Sequence, residues 1–372
     1  MQKLISVWLW LFLLEPSRLF SFLPLGVRLV DILSYLILFL FKPRLNRFHH
    51  IILALFASQL VSILLYPSIA NLPFNPADLN SLGTLLLLFG VISVTSLVSQ
   101  ENEEMQAKLL LKAFIVVCCL TIAQYFNILN FAGFASNFLE NQTQFVLKYP
   151  WRRAMLFSTN GNYLAFQIVL LFILVGQEIA KSKYFWFFIV ISFLSVILTF
   201  SRLGLFCYAL CFLSILFNKH KTLSFLVVPL IIFASTIIIP LLPNFRISDT
   251  ESFDNSYSAR LRDFIQPFTM IFADPTSFFF GRGPLKSVIR TDSHNGFTWF
   301  WLRFGLIGLV LYLRNIAFFL RQVTFLQREK YLILTTWLLF EFGNNIFKDV
   351  QSICLLLFAM IIMIKRDNYA IS

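Results

Sequence analysis

Long apolar runs, recurring down the whole chain with short polar breaks, are the feature that most constrains the fold. They cover roughly Leu4–Leu14, Leu29–Phe41, Ile51–Tyr66, Leu82–Leu97, Leu109–Phe131 and Tyr163–Val175. They continue through Tyr184–Phe200, Leu203–Phe217, Leu223–Leu242, Phe297–Phe319, Leu332–Phe347 and Ile353–Ile364. A helix needs about 20 mostly apolar residues to cross the hydrocarbon layer. The alternating segments that a transmembrane barrel requires are absent from the sequence. The expectation is an all-α polytopic membrane protein with about twelve transmembrane helices.

Lys and Arg set the orientation. One alternate set of loops holds Lys3, then Lys42, Arg44 and Arg47, Lys108, Lys181 and Lys183, Lys219 and Lys221, Arg314, Arg321, Arg328 and Lys330, and finally Lys365 and Arg366. Basic residues in short loops mark the cytoplasmic side, so both termini are expected there. The formal charge of +12 is then a matter of topology, and nucleic acid is not an expected partner. The partner it does imply is the lipid bilayer. All five cysteines, Cys118, Cys119, Cys207, Cys211 and Cys354, lie in or at the edge of apolar runs, with no metal-type spacing. They read as packing residues.

One stretch breaks the pattern. From Pro243 to Asn295 the chain is largely polar, with Arg246, Arg260, Arg262, Arg282, Lys286, Arg290, six acidic residues and His294. The domain reading is therefore a single integral membrane domain, 1–372, with residues 243–296 as a large external loop between the ninth and tenth spans. Within it, Leu261, Phe264, Ile265 and Phe268 have the spacing of a short amphipathic helix around Pro267, suited to the membrane surface.

The chemistry centres on arginine and histidine. Of four histidines, His49, His50 and His220 fall in the expected cytoplasmic loops and only His294 on the outer side, at the mouth of the tenth span, and imidazole suits general-base work near neutral pH. Arg202 sits in a very tight outer turn, where its guanidinium must reach headgroups or a cavity. Arg202, Arg260 and also Arg153 or Arg290 offer planar forks matched to phosphate oxygens. Several arginines with one histidine, and no His/Asp/Glu cluster of metal spacing, suggest a site that uses neither metal nor other cofactor, with a lipid-embedded pyrophosphate as its target. Glu341, a carboxylate in an apolar run, reads either as a local ion-pair partner or as a group orienting His294 or an arginine.

Several motifs then occur in order. TFSRLGLF (Thr199–Phe206) resembles the Ser-Arg-x-Gly turn of the bacterial O-antigen ligase and O-antigen polymerase superfamily, and SARLRDF (Ser258–Phe264) is similar to its Arg-x-x-x-Trp stretch, with Phe264 in place of Trp. DPTSFFFGRGP resembles its Gly-x-Gly segment. SHNGFTWFWLRFGLIGLVLYL (Ser293–Leu313) resembles its His-Asn then Gly-Leu-x-Gly helix. RRAMLFSTNGNYLA (Arg152–Ala165) is similar to its Arg-to-Asn segment, with Asn162 at the Asn position and no preceding Pro.

The resemblance covers most of Arg152–Leu313 and little of the first third. It implies a GT-C-like glycosyltransferase of the bacterial inner membrane with a periplasmic active site. Such an enzyme moves a glycan from an undecaprenyl-pyrophosphate donor to a glycan acceptor (polymerase) or a lipid A-core acceptor (ligase), without a metal, in O-antigen or exopolysaccharide assembly. By it, Arg202 and Arg260 hold the pyrophosphate and His294 is the base. Arg153, Arg262, Arg290, Asn162 and Glu341 are further substrate-site candidates, and a polymerase would admit a chain-length regulator as partner. The rival reading is a transporter or flippase of lipid-linked saccharides.

Overall fold

The computed structural model describes residues 2–14, 29–42, 47–69, 80–98, 103–128, 154, 156, 158, 160–219, 265–273, 275–283, 295–321, 328–343, 346 and 349–370. Its regular structure is helical throughout. In chain order the helices are α1 (Gln2–Leu14), α2 (Leu29–Phe41), α3 (Arg47–Ile69), α4 (Asn80–Val98), α5 (Glu103–Tyr125), α6 (Gly161–Leu174) and α7 (Gly176–Lys181). They continue with α8 (Phe185–Leu198), α9 (Arg202–Lys219), α10 (265–271), α11 (Pro275–Phe280), α12 (Gly296–Arg321), α13 (Arg328–Gly343) and α14 (Val350–Ala370). Eleven of the twelve expected apolar runs overlap these helices, and the run 223–242 lies outside the described residues. The helix at Leu109 ends at Tyr125, short of the expected Phe131, where the chain turns with Asn127 at φ 53°.

Among the described residues three helices are long and apolar enough to cross a membrane: Arg47–Leu65, Gln106–Tyr125 and Gly296–Phe318. Shorter apolar helices accompany them, and their surfaces are inverted relative to a soluble protein. In α8 the buried face carries Ser192 and Ser195 beside Phe185, Phe188, Ile189 and Val196, while Trp186, Phe187, Val190, Phe193 and Leu194 are exposed. In α2 Asp31 and Ser34 are buried while Ile32, Leu36, Phe39 and Leu40 are exposed. Apolar patches of that extent call for a covering, and for helices this apolar the covering is lipid. The protein is membrane-embedded.

The helices form two compact units: Met1–Arg18, Glu101–Ser256 and Leu326–Trp337 in the first, Leu19–Gln100, Tyr257–Phe325 and Leu338–Ser372 in the second. In the first unit α6 is the hub, packed by α5, α7, α8 and α9. Nearly every residue of α6 is buried, as expected of a helix that is apolar all round. The buried serines of α8 stay satisfied: Ser192 Oγ donates to Phe188 O (2.6 Å) and meets Tyr208 Oη (2.7 Å), and Ser195 Oγ donates to Ile191 O (2.7 Å).

In the second unit α4 is the hub, packed by α2, α3 and α14, and α3 also meets α11 and α12. His49, expected in a cytoplasmic loop, is instead fully buried in the first turn of α3, with Nε2 2.8 Å from Ser93 Oγ of α4. The physical reason is that α3 starts four residues before its apolar run, so a helical turn carries the imidazole onto a polar spot of its neighbour.

The least regular element is α12. Gly305 (φ 68°, ψ −172°) breaks it into two helical halves. Phe300, before the break, stacks on Phe304 (4.5 Å) and on Tyr312 (4.7 Å), beyond it, which ties the halves together.

Candidate functional site

In the first unit the sequence-predicted Ser-Arg-x-Gly turn has a local physical cause. Helix α8 ends at Leu198, and Phe200 adopts the left-handed conformation (φ 51°) with its N–H bonded to Ile197 O at 2.8 Å. A bulky residue there stores roughly 1–2 kcal/mol of strain, so the turn is held by its surroundings rather than by propensity. Thr199 Oγ1 accepts from Ser201 N at 3.3 Å, and Ser201 Oγ accepts from Gly204 N at 3.0 Å, making Ser201 the N-cap of α9. Gly204 is needed for packing, because a β-carbon there would lie 2.5 Å from Ala165 Cβ of α6. Arg202 is thereby left at the first helical position, exposed.

Helices α6 and α9 run in the same direction. Gly204 faces Ala165 at one end, and at the other a β-carbon on Gly176, just past α6, would lie 3.0 Å from Ile215 Cδ1 of α9. The N-termini of both helices therefore share one end of the unit. Asn160 caps α6, its Oδ1 accepting from Asn162 N at 3.1 Å. The preceding strand of chain is pinned there too: Ala154 N donates to Leu198 O (2.9 Å), and Leu156 N donates to Gln124 Oε1 of α5 (2.6 Å). Arg202 and Asn162, two of the sequence-predicted residues, are thus brought to one end of the first unit. Two helix N-termini and an arginine make that end attractive to an anion. A cation at the start of a helix opposes the helix dipole by about 0.3–1 kcal/mol, so α9 gains no stability from Arg202.

In the second unit the start of α12 is built around a carboxylate. Asn295 is buried and caps the helix, its Oδ1 accepting from Phe297 N (2.9 Å) and Thr298 N (3.2 Å). Glu341 of α13 is fully buried and lies directly on Gly296, so close that any β-carbon at 296 would collide with its carboxylate. A carboxylate at a helix N-terminus is the favourable sign of charge. Arg303, one residue before Phe304, has its guanidinium 4.7 Å from the Trp299 ring centroid. The amphipathic helix around Pro267 exists as α10, but its buried residues are Pro267 and Ile271, while Ile265 is exposed. The break in α12 and the capping roles of Asn160 and Asn295 are features that the sequence reading did not anticipate.

Arg153, Arg260, Arg262, Arg290 and His294 lie outside the described residues. No protein-family model matches the chain, and no curated protein matches it either.

Proposed function

We propose that the protein is a metal-independent GT-C-type glycosyltransferase with about twelve spans. In this reading it works at the periplasmic face of the bacterial inner membrane, moving a glycan from undecaprenyl-pyrophosphate to a glycan or lipid A-core hydroxyl. The observation that carries the reading is the end of the first unit where Arg202 is presented, exposed, at the start of α9 beside the N-terminus of α6. A diphosphate bound there would gain from the guanidinium fork and from both helix termini.

On this reading the reaction is a displacement at the anomeric carbon. The acceptor oxygen bonds to the anomeric carbon, the bond from that carbon to the phosphate oxygen breaks, and undecaprenyl-pyrophosphate leaves with the electron pair. Arg202 and Arg260 stabilise the charge on the leaving diphosphate, and His294 takes the proton of the acceptor hydroxyl. Arg153, Arg262, Arg290 and Asn162 contribute to substrate binding. Glu341, seated on Gly296, fixes the start of the helix that directly follows His294 in the chain.

The test is transfer in proteoliposomes supplied with the lipid-linked donor and either acceptor. Laddered product on the carrier identifies a polymerase, and transfer to core oligosaccharide identifies a ligase. Arg202→Ala is expected to lower the rate at least about a hundredfold, the loss typical of removing a charge-stabilising donor. Wild-type rates in that variant would sink the assignment.

One observation favours the flippase reading: α12 is discontinuous, and broken helices line substrate sites in many transporters. The break here is hydrogen-bonded to other protein backbone, which suits a fixed scaffold better than an ion site. Movement of the donor across sealed vesicles without acceptor consumption would revive that alternative.

A further inference from the structure

We infer that residues 265–273 and 275–283 belong to a re-entrant membrane element, with α10 and α11 set into the hydrocarbon at the N-terminal end of α12 and acyl chains covering their aromatic face. On this inference part of 243–296 enters the membrane instead of lying wholly outside it, and the inference stands apart from the proposed chemistry.

Depth is the first argument. The turn after α11 is joined to the break in α12: Arg282 N donates to Leu302 O at 2.8 Å and Gly283 N to Arg303 O at 3.1 Å. Those carbonyls lie six and seven residues past Gly296, the start of a candidate span, or about 9–11 Å along the axis at 1.5 Å per residue. Helix α3 also places these groups inside a candidate span. Ser62 Oγ donates to Gly281 O (3.0 Å) and Ser58 Oγ to Phe304 O (3.3 Å), three and seven residues, or about 4.5 and 10.5 Å, inside the Leu65 end of its span.

The backbone obeys the membrane's rule. Irregular chain at such depth persists only where its polar groups are met by protein. Gly281, Arg282 and Gly283 are all buried, and Gly281 N donates to Ser277 O at 3.1 Å. The break needs this partner closely: a β-carbon on Gly281 (φ 75°) would sit 2.5 Å from Gly305 N. Arg282 is the one charged side chain among the described residues of 265–283, and it is turned inward. Its Nε donates to Ser277 Oγ (2.9 Å) and its Nη2 to Met270 O (2.8 Å), near the C-terminal end of α10, where a cation is favoured.

The outward face is the second argument. Phe272 is 62% exposed, Ile265 50% and Phe279 48%, around an aromatic cluster in which Trp301 of α12 meets Phe268, Phe272 and Phe278 at 5.5–6.2 Å. Trp301 hides its one polar group by donating to Phe278 O at 3.2 Å. The patch is continuous through Trp301 with a candidate span, which identifies the bilayer as its occupant.

The test uses the full chain in proteoliposomes with Cys119 replaced by Ser, and nitroxide labels at Phe272→Cys and Phe279→Cys. Both positions are half-exposed, so labelling leaves the packing intact, checked by a monodisperse elution profile. Collision rates with oxygen should exceed those with a water-soluble nickel chelate severalfold, as at a lipid-facing reference, Val310→Cys. Nickel collisions matching those at the exposed polar reference Lys181→Cys would overturn the proposal. No donor or acceptor is present, so the result is independent of whether the protein transfers sugar.

Discussion

Two arginines sit at or beside turns between helices, each next to at least one small residue, and the structure uses them in opposite ways. Ser201-Arg202-Leu203-Gly204 opens α9, and its serine and glycine do the structural work of capping and close packing while Arg202 is exposed. Gly281-Arg282-Gly283 follows α11, and there the guanidinium itself is the structural part, buried and bonded to Ser277 and Met270. In the first turn the neighbours hold the backbone so that the arginine can face outward. In the second the glycines yield space and the arginine holds two short helices together. What separates the two arginines is exposure: Arg202 is open to the surroundings, and Arg282 is enclosed by the elements it bonds.

The largest stability effect expected from this contrast is at Arg282. Arg282→Ala strands Ser277 Oγ and Met270 O in a buried site, and should cost about 3 kcal/mol, since bonds to a charged donor contribute about 1.5–3 kcal/mol each. Arg202→Ala should change stability by less than about 0.5 kcal/mol, as at ordinary exposed positions. Thermal melting of the purified variants in detergent measures both. Equal losses at the two arginines would erase the distinction, and with it the reason to assign Arg202 to a ligand.

A smaller loss is expected where the first turn does its structural work. Ser201→Ala removes the acceptor for Gly204 N and should cost about 1 kcal/mol, the usual value of an N-cap. If Arg202 is positioned by this cap, transfer activity falls in Ser201→Ala and recovers in Ser201→Thr, which keeps the hydroxyl. Activity that follows melting temperature alone across the three proteins would assign the serine to stability only.

The sequence disclosed these features unevenly, for physical reasons. Helix positions were readable because an apolar run long enough to matter in a bilayer has few alternatives to a helix. Helix ends were less so: α3, α5 and α13 extend into polar residues, since a helix does not stop where hydrophobicity does, and His49 was misplaced for that reason. The Ser-Arg-x-Gly turn was readable because its spacing is local, with cap, cation and packing glycine within four residues. The break at Gly305 was invisible, because Phe297–Phe319 reads as one apolar run and the groups that satisfy the break come from Gly281–Gly283 and Ser58. Glu341 stood out as a carboxylate among apolar residues, but its seat on Gly296 depends on tertiary packing that no spacing encodes.

Lys330 extends the comparison to a third cation, and to the smallest expected effect. It lies in the first turn of α13, just before the run Leu332–Phe347, and is 2% exposed. Burial pushes its ammonium down from the ordinary lysine value to about 8. A lysine whose pKa falls on folding opposes the fold while it is charged. Below about pH 8 both folded and unfolded chains hold the proton, and the full cost is present. Between there and the ordinary lysine pKa of about 10.4 the folded chain releases its proton first, so stability rises with pH. Above that range the cost is gone. Lys330→Met should therefore raise the melting temperature at pH 7 by about 1–2 °C, and the advantage should shrink as pH climbs from 8 to 10.5. An advantage that stays constant with pH would mean the methionine acts by packing alone. A lower melting temperature at pH 7 would place Lys330 with Arg282, as a buried cation that the fold depends on.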